Sequence, residues 1–410
     1  MKIIAMYFPQ FHAIRENDEW WGKGFTDWHN VKKARKLFKG HHQPRIPLDD
    51  NYYDQSSLET IRQQVDLARS HGIFGFCHYH YWFDGKQLLE TPTELMLNNP
   101  DIDMPFCLSW ANETWSRRWD GLDHHILIQQ THPPEIASWR RHFDYLIRAW
   151  KDPRAIKIDG KPVFIIYRPQ RILEIDAMLS RWREWAQEEG LPGIYFIFQK
   201  QYELPDKKCL SSFDGQFQFQ PFEAIYSASS SGKTNIFKRV AQTVFQRLPA
   251  SLQGRLRNLK SRLGVKQLTL YNYDTAWERV TALRADEKLT TFPGAFVDWD
   301  NTARYKSRAT IFIGASPEKF HYWLRKLSDT MPSRNLPEDY VFLNAWNEWS
   351  EGSYLEPDKT HGYQYLEAVR SVVSCSDLTE RIEKISDEDE VFEVDKNISG
   401  LLYTLKKPIT

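Results

Sequence analysis

The stretch Tyr340–Gly352, YVFLNAWNEWSEG, sets a short apolar segment directly against a cluster of polar and aromatic residues. Tyr340–Trp346 has the length and composition of a strand buried on both faces, as in a parallel sheet. Glu348 and Glu351 follow at once, three residues apart and flanked by Trp346, Trp349 and Gly352. Carboxylates belong in water and indoles out of it, so this pairing marks two candidate acids in an aromatic cleft.

The same order, strand first and polar cluster after, recurs along the chain. Strands are predicted at Lys2–Phe8, Ile73–Tyr81, Pro105–Ala111, Pro162–Tyr167, Ile194–Gln199, Phe213–Phe219, Phe292–Trp299 and Tyr340–Trp346. Segments of helical period lie between them, at Leu58–His71, Trp139–Lys151, Ile175–Glu189 and Pro317–Thr330, the last opened by a Ser316 cap and Pro317 in its first turn. A strand and helix repeated in this way point to a (β/α)8 TIM-type barrel, with a doubly wound sheet as the alternative. The polar residues favour the barrel, because they gather at the strand ends: PQFH after the first, HYHYWF at the second, NETWSRRWDG after the third, DNTAR after the seventh and NEWSEG after the eighth. In a barrel those loops converge on one mouth.

Composition narrows the partner. Lys+Arg and Asp+Glu are equal at 54 each, which leaves no net field to attract nucleic acid, and none is expected as a partner. Aromatics reach 14%, with 16 Trp, and flat rings flanked by polar groups suit sugar faces, so an oligosaccharide or polysaccharide is the expected substrate. Cys77, Cys107, Cys209 and Cys375 show no paired spacing and read as reduced thiols. The opening MKIIAMYFPQFH has no charged leader followed by a long apolar segment, and no stretch of 18 apolar residues occurs, so the expected location is cytoplasmic. The Asn112-Glu113-Thr114 and Asn397-Ile398-Ser399 sequons are then chance matches.

Several residues compete for roles at the mouth. Glu113, in WANE, is a third carboxylate at a strand end, read as a sugar-binding group or as a rival acid. His78 and His80 alternate on one strand and project to one side; lacking a third ligand at metal-binding spacing, they read as hydrogen-bonding groups for substrate or a buried partner, and neither metal nor cofactor is expected. Tyr79, Tyr81 and Trp82 read as cleft wall or core. Asp27 fits either the cleft or a helix N-cap. Asp298, Asn301 and Arg304 either bind sugar or brace their loop, and Arg117 and Arg118 either meet an acidic group or form a solvated face.

From Ala224 to Tyr273 there is no acidic residue, while nine basic residues from Lys233 to Lys266 accumulate. Apolar residues at helical spacing around Phe237 and Phe245 make this a basic helical insertion, either packed on the barrel or docked on an anionic membrane. The second outcome would make the protein peripheral at the inner membrane. SSSGKT (229–234) imitates a phosphate loop but has Ser227 where the first glycine is required and no strand before it. The predicted organisation is a barrel over 1–374, interrupted by the insertion at 224–273, and a short C-terminal extension over 375–410.

The motifs YFPQFH (Tyr7–His12), WWGKGFTDW (Trp20–Trp28), WANETWSRRWDG (Trp110–Gly121), DWDNTAR (Asp298–Arg304) and NEWSEGSYLEP (Asn347–Pro357) resemble the WbsX-type proteins of bacterial surface-polysaccharide gene clusters. Those in turn resemble glycoside hydrolase family 99, the endo-α-mannosidases, which are (β/α)8 barrels. The resemblance runs from Met1 to about Ala368, apart from the insertion. It implies that Glu348 is the base that takes the proton of the sugar 2-hydroxyl, so that this oxygen attacks the anomeric carbon, and that Glu351 is the acid at the leaving oxygen. It further implies substrate contacts at Tyr7, Asp27, Trp28, His78, His80, Trp110, Asn112, Glu113, Asp298, Trp299, Asn301, Arg304, Asn347 and Trp349. Ser350 stands where the hydrolases commonly carry His, which alters the leaving-group side of the cleft. Glycosidase, glycosyltransferase of O-antigen or capsule assembly, and glycan-binding protein on an inactive barrel are the functions carried forward. The intact acid pair counts against the binder, and the absence of a Gly-rich phosphate loop or Asp-x-Asp motif counts against a nucleotide-sugar transferase.

Overall fold

Strict alternation along each strand sorts the apolar residues into two layers. Ile4, Met6, Cys77, Cys107, Val163, Ile165, Ile197, Phe217 and Phe342 fill one buried cluster, and their neighbours Ile3, Ala5, Phe76, Leu108, Phe164, Ile166 and Phe196 fill the other. The second cluster also takes Ile61 and Val65, Phe143 and Leu146, and Leu179 and Trp182, all from helices. The first is therefore the inside of a sheet closed on itself, and the second the layer between sheet and helices. The computed structural model describes residues 1–117, 122–201, 209–231, 268–286 and 288–374.

Six strands pair in parallel in chain order: β1 (Lys2–Tyr7), β2 (Ile73–Phe83), β3 (Phe106–Trp110), β4 (Lys161–Ile166), β5 (Tyr195–Lys200) and β6 (Gly215–Gln218). Thr290–Phe292 pairs with β6, while Gly294–Phe296 pairs with β8 (Tyr340–Asn344), which returns to β1. These two short segments form one interrupted strand, β7, and complete a (β/α)8 barrel. Pro293 interrupts it because proline has no amide hydrogen for the ladder. Its carbonyl accepts from Phe342 N at 3.1 Å, and a Cβ on Gly294 would lie 1.8 Å from the carbonyl oxygen of Gln218, so only glycine allows this approach. The strand ends before the predicted Trp299 because the Asp298 carboxylate accepts the Trp299 amide at 2.7 Å and turns the chain.

The outer helices follow the amphipathic pattern. α1 (Leu58–Ser70) buries Ile61, Val65 and Ala68, and α2 (Ile136–Lys151) buries Phe143, Leu146 and Trp150. α3 (Ile175–Glu188) buries Met178, Leu179, Trp182 and Trp185. α4 (Tyr273–Ala282) starts at a capping Asn272, and α5 (Pro317–Asp329) at the predicted Ser316 cap, whose hydroxyl accepts from Lys319 N. The chain enters the predicted insertion through a helix, Phe222–Ser231, and leaves it through Thr269–Asn272, which pairs with Thr310–Ile313. Most of the basic segment, the C-terminal extension 375–410 and Arg118 lie outside the described residues, and with the segment goes the expected membrane contact. Among the described residues no helix is long and apolar enough to cross a membrane.

Candidate active site

At the C-terminal ends of the strands lies an open cavity of about 490 Å3. Its walls are aromatic, from Phe8, Trp21, Tyr79, Tyr81, Trp115, Tyr167, Phe219, Phe222, Trp299 and Tyr305, with Gln10, Asn17, Glu113, Gln201, Asn301, Arg304, Arg308, Glu348 and Glu351 set among them. Tyr79 and Tyr81 come from the end of β2 and the rest from the loops after the other seven strands, the convergence expected of a barrel mouth.

Glu348 and Glu351 reach the cavity on a single turn after β8. A short 3-10 turn, Trp349–Glu351, carries the second carboxyl, and Gly352 ends it in the left-handed region at φ 65°. A Cβ there would come within 2.9 Å of Asp300 N, which donates to the Glu351 carbonyl at 2.7 Å. The turn is pinned elsewhere too. Asn347 brackets the main chain of Phe8, accepting its amide at 2.7 Å and donating to its carbonyl at 2.9 Å, while the Trp349 indole donates to Glu356 at 2.6 Å.

The guanidinium of Arg304 serves both acids. Nη1 donates to Glu351 at 2.6 Å, and Nη2 donates to Asp27 at 2.8 Å and to Glu348 at 3.3 Å. Its planar fork suits this bridging role, and the guanidinium also lies 5.1 Å from the Phe8 ring centroid. Burial works against its charge, yet Asp27, Glu351 and Glu348 together make it hold its proton more tightly than an ordinary arginine. Burial pushes Glu348 well above the usual carboxylate range, with the charge of Glu351 adding to the effect and Arg304 opposing it. Burial also raises Glu351, against the closer pull of Arg304. Two such carboxyls cannot both ionise freely, so the ionisation of one disfavours that of the other.

The predicted site residues divide by the direction of their side chains. Glu113, Trp299, Asn301, Arg304, Glu348 and Glu351 line the cavity, and Asp27 stands behind Arg304. Asp27 occupies a helix N-cap position without capping the helix; its other oxygen accepts from Asn30 at 2.8 Å. Tyr7, His78, His80 and Trp110 do not line the cavity, which corrects the expectation of substrate contacts there. All four point to the helix layer: the Tyr7 hydroxyl donates to Gln64, His78 stacks on Tyr7, His80 faces His142 with 2.9 Å between ring nitrogens, and the Trp110 indole donates to Trp82 O. Burial drives both His78 and His80 down to about 3, so they are neutral core groups. Among the described residues no three potential metal ligands cluster.

Asn112, Asp298, Asn347, Trp28 and Trp349 also lie outside the cavity lining and act as braces. Asn112 clamps the main chain of Arg168, Asp298 accepts from Arg45 at 2.7 Å, and Trp28 packs on Trp349 and donates to Tyr53 O. Glu113 accepts from Arg168 at 3.0 Å, so its carboxylate is presented to the cavity already paired on one side. Phe8 and Gln201 were missed, while Tyr79 and Tyr81, read as cleft wall or core, stand in the cavity wall. The signal was strand parity, since residues one position from the chosen Tyr7, His78 and His80 face the barrel interior.

Glu356 anchors the turn from behind. Its carboxylate accepts from Trp349 Nε1 at 2.6 Å, Tyr53 Oη at 2.7 Å and Gln64 Nε2 at 2.6 Å, and burial outweighs these bonds to raise it to about 7. A carboxyl raised on folding contributes stability that is complete below its unfolded value and is lost as pH rises through the folded one. The melting temperature of the wild type is therefore expected to fall more steeply than that of Glu356→Gln between about pH 4.5 and 7, the interval bounded by the two values. Parallel curves from thermal melts across that interval would show that Glu356 does not titrate there.

A (β/α)8 barrel with two carboxyls on one turn in an aromatic mouth carries its polar groups at the face where barrel enzymes carry theirs. The family profile described as Glycosyltransferase WbsX matches residues 3–369, and the chain belongs to this family. Protein WxcX of Xanthomonas campestris pv. campestris, itself uncharacterised, is 34% identical over 373 residues, covering 91% of this chain and 49% of WxcX. The chain thus spans about half the length of the curated relatives it matches. Among solved structures, the family 99 endo-α-mannosidase of Bacteroides thetaiotaomicron, in complex with bis-tris-propane, superposes with a TM-score of 0.51 at 14% identity, covering 93% of this chain and 98% of that one. A glycoside hydrolase-like protein superposes at 0.53, also at 14% identity, over 91% and 93%. At that identity the likeness is one of fold.

Proposed function

We propose that the chain cleaves or transfers a glycosidic linkage in a mannose-like bacterial surface polysaccharide or its lipid-linked precursor, with Glu348 and Glu351 as the reacting carboxyls. The observation that carries this reading is the pair itself, a buried carboxyl and a half-buried one on one turn, both raised by desolvation and bridged by one guanidinium in an aromatic cavity. Glycosidic chemistry needs one protonated and one ionised carboxyl beside the bond, and a pair in which the ionisation of one disfavours that of the other suits both roles.

In the order implied by the resemblance, Glu348 takes the proton of the sugar 2-hydroxyl. The freed oxygen bonds to the anomeric carbon, the bond to the leaving oxygen breaks, and Glu351 gives that oxygen its proton. The resulting anhydro sugar is opened by an incoming O–H, whose proton passes to Glu351 while Glu348 returns its proton to the 2-oxygen. Water as the incoming group shortens the glycan, and a sugar hydroxyl lengthens another chain. One carboxyl pair thus serves hydrolysis and transfer alike.

A second reading has its own observation. Arg304 sits closer to Glu351, at 2.6 Å, than to Glu348, at 3.3 Å, and so favours the ionised form of Glu351 more. That favours Glu348 as acid and Glu351 as base. The overall function is tested by incubating the protein with free and lipid-linked oligosaccharides from its own polysaccharide locus and following chain length by mass spectrometry. Shortened or lengthened chains are expected; chains of unchanged length in both preparations would overturn the proposal.

A further inference from the structure

Tyr79 and Tyr81 stand two residues apart on the inner face of β2, and both line the cavity while being only 7% and 9% exposed. A tyrosine buried to this degree ordinarily gives its hydroxyl a protein partner, as Tyr7 does with Gln64, Tyr273 with Val297 O and Tyr354 with Asp358. Among the described residues neither the Tyr79 nor the Tyr81 hydroxyl has a hydrogen-bond partner, and neither is among the polar atoms shut off from solvent. Both O–H groups therefore open onto the cavity. A wall alone does not need them. Phe8, Phe219 and Phe222 line the same cavity without a hydroxyl, and the apolar contacts of the two tyrosines are made by their rings, Tyr79 edge-on to Phe8 at 6.5 Å and Tyr81 edge-on to Trp115 at 5.1 Å.

Their place in the fold ties them to one carboxyl. β2 and β8 flank β1, and Glu348 follows β8. Phe8, just past β1, meets Tyr79 on one side and on the other lies 5.1 Å from the guanidinium of Arg304, which holds Glu348 and Glu351. Burial pushes both phenols well above the usual tyrosine range, and after burial the charge of Glu348 acts on each more strongly than that of Glu351. Both phenols thus keep their protons near neutrality and stand on the Glu348 side of the pair. A neutral O–H both donates and accepts, which matches a sugar hydroxyl. Successive inward residues of a strand lie about 6.6 Å apart, comparable to the width of one pyranose ring, so the two phenols address a single ring.

We infer that Tyr79 and Tyr81 bind hydroxyls of the sugar ring that supplies the anomeric carbon and hold that ring against Glu348. The inference rests on the proposed saccharide function, in the order in which Glu348 acts at the 2-hydroxyl, and adds to it the groups that fix the reacting ring. It also explains why two buried hydroxyls are kept without a protein partner, where they add nothing to stability.

The test uses the full-length protein and α-mannobiose with sulfur in its linkage, which resists cleavage, together with the singly deoxygenated analogues of that probe. Binding is followed by ligand-observed NMR and stability by thermal melts. Tyr79→Phe and Tyr81→Phe each delete one hydroxyl and keep the ring. Each is expected to weaken binding about three- to tenfold, the range of one hydrogen bond, with the melting temperature unchanged or slightly raised. An analogue lacking the partner hydroxyl should bind wild type more weakly and lose nothing further in the matching variant. That coupling is expected at a hydroxyl of the non-reducing ring, which carries the anomeric carbon of the linkage. Coupling to the reducing ring would overturn the assignment to the reacting ring. Unchanged affinity in both variants, with wild type binding, would overturn the whole inference and leave the proposed function standing. No binding of the probe to wild type would overturn it together with the mannose-like substrate class. A marked fall in melting temperature in both variants would show that the hydroxyls brace the wall and sink their assignment as binding groups.

Discussion

Glu348→Gln and Glu351→Gln are each expected to lower turnover at least about 100-fold in a protein that stays folded. Glutamine keeps the shape and much of the hydrogen bonding of glutamate but can neither give nor take the proton. Folding should survive because each substitution removes one member of a mutually repelling buried pair while Arg304 keeps its bonds to the other and to Asp27. Near-wild-type rates in either variant would remove that residue from the mechanism. Substrates with an activated aryl leaving group sharpen the result, since a good leaving group needs no protonation. Rescue confined to Glu351→Gln identifies Glu351 as the acid, the order implied by the resemblance. Rescue confined to Glu348→Gln identifies Glu348, the order favoured by the closer Arg304–Glu351 contact.

The barrel was legible in the sequence because parallel strands buried on both faces read as uninterrupted apolar segments, each followed by its polar loop. The carboxyl pair was legible because both acids sit on one turn beside tryptophans. Direction within a strand was harder to read. In IFGFCHYHYWF every residue but one is buried, so burial does not separate the inward Tyr79 and Tyr81 from the outward His78 and His80. Polar character suggested the histidines, but they pair with Thr93 and His142 in the helix layer. The other partners of the site were hidden by sequence distance. Arg45 meets Asp298 from 253 positions away and Arg304 meets Asp27 from 277, and neither local period nor composition reports such a contact. Arg304 itself was found only as part of a polar cluster, because its central place follows from the loops after β1, β7 and β8 meeting above the barrel.

That meeting point makes Arg304 the side chain whose loss should cost most. Arg304→Met keeps much of the apolar stem and removes the guanidinium, leaving Asp27, Glu348 and Glu351 together in a buried space without their shared cation. Breaking one partner out of a buried ion cluster destabilises by about 3–5 kcal/mol, far more than the net worth of making the pair, because the remaining charges stay desolvated. The effect should depend on pH in a fixed direction. Burial and mutual repulsion already raise Glu348 and Glu351, and Arg304 is the attraction that opposes them. Without it both carboxyls rise further, and groups raised on folding contribute stability that is present at low pH and lost as pH increases. The variant should therefore lie closest to wild type at acidic pH, where protonated carboxyls need no cation, and furthest below it at neutral and alkaline pH. Denaturant titrations across the pH range measure this directly. A deficit that stays constant with pH would mean that Arg304 stabilises the mouth by packing on Phe8, not by holding the charges of the carboxyl pair.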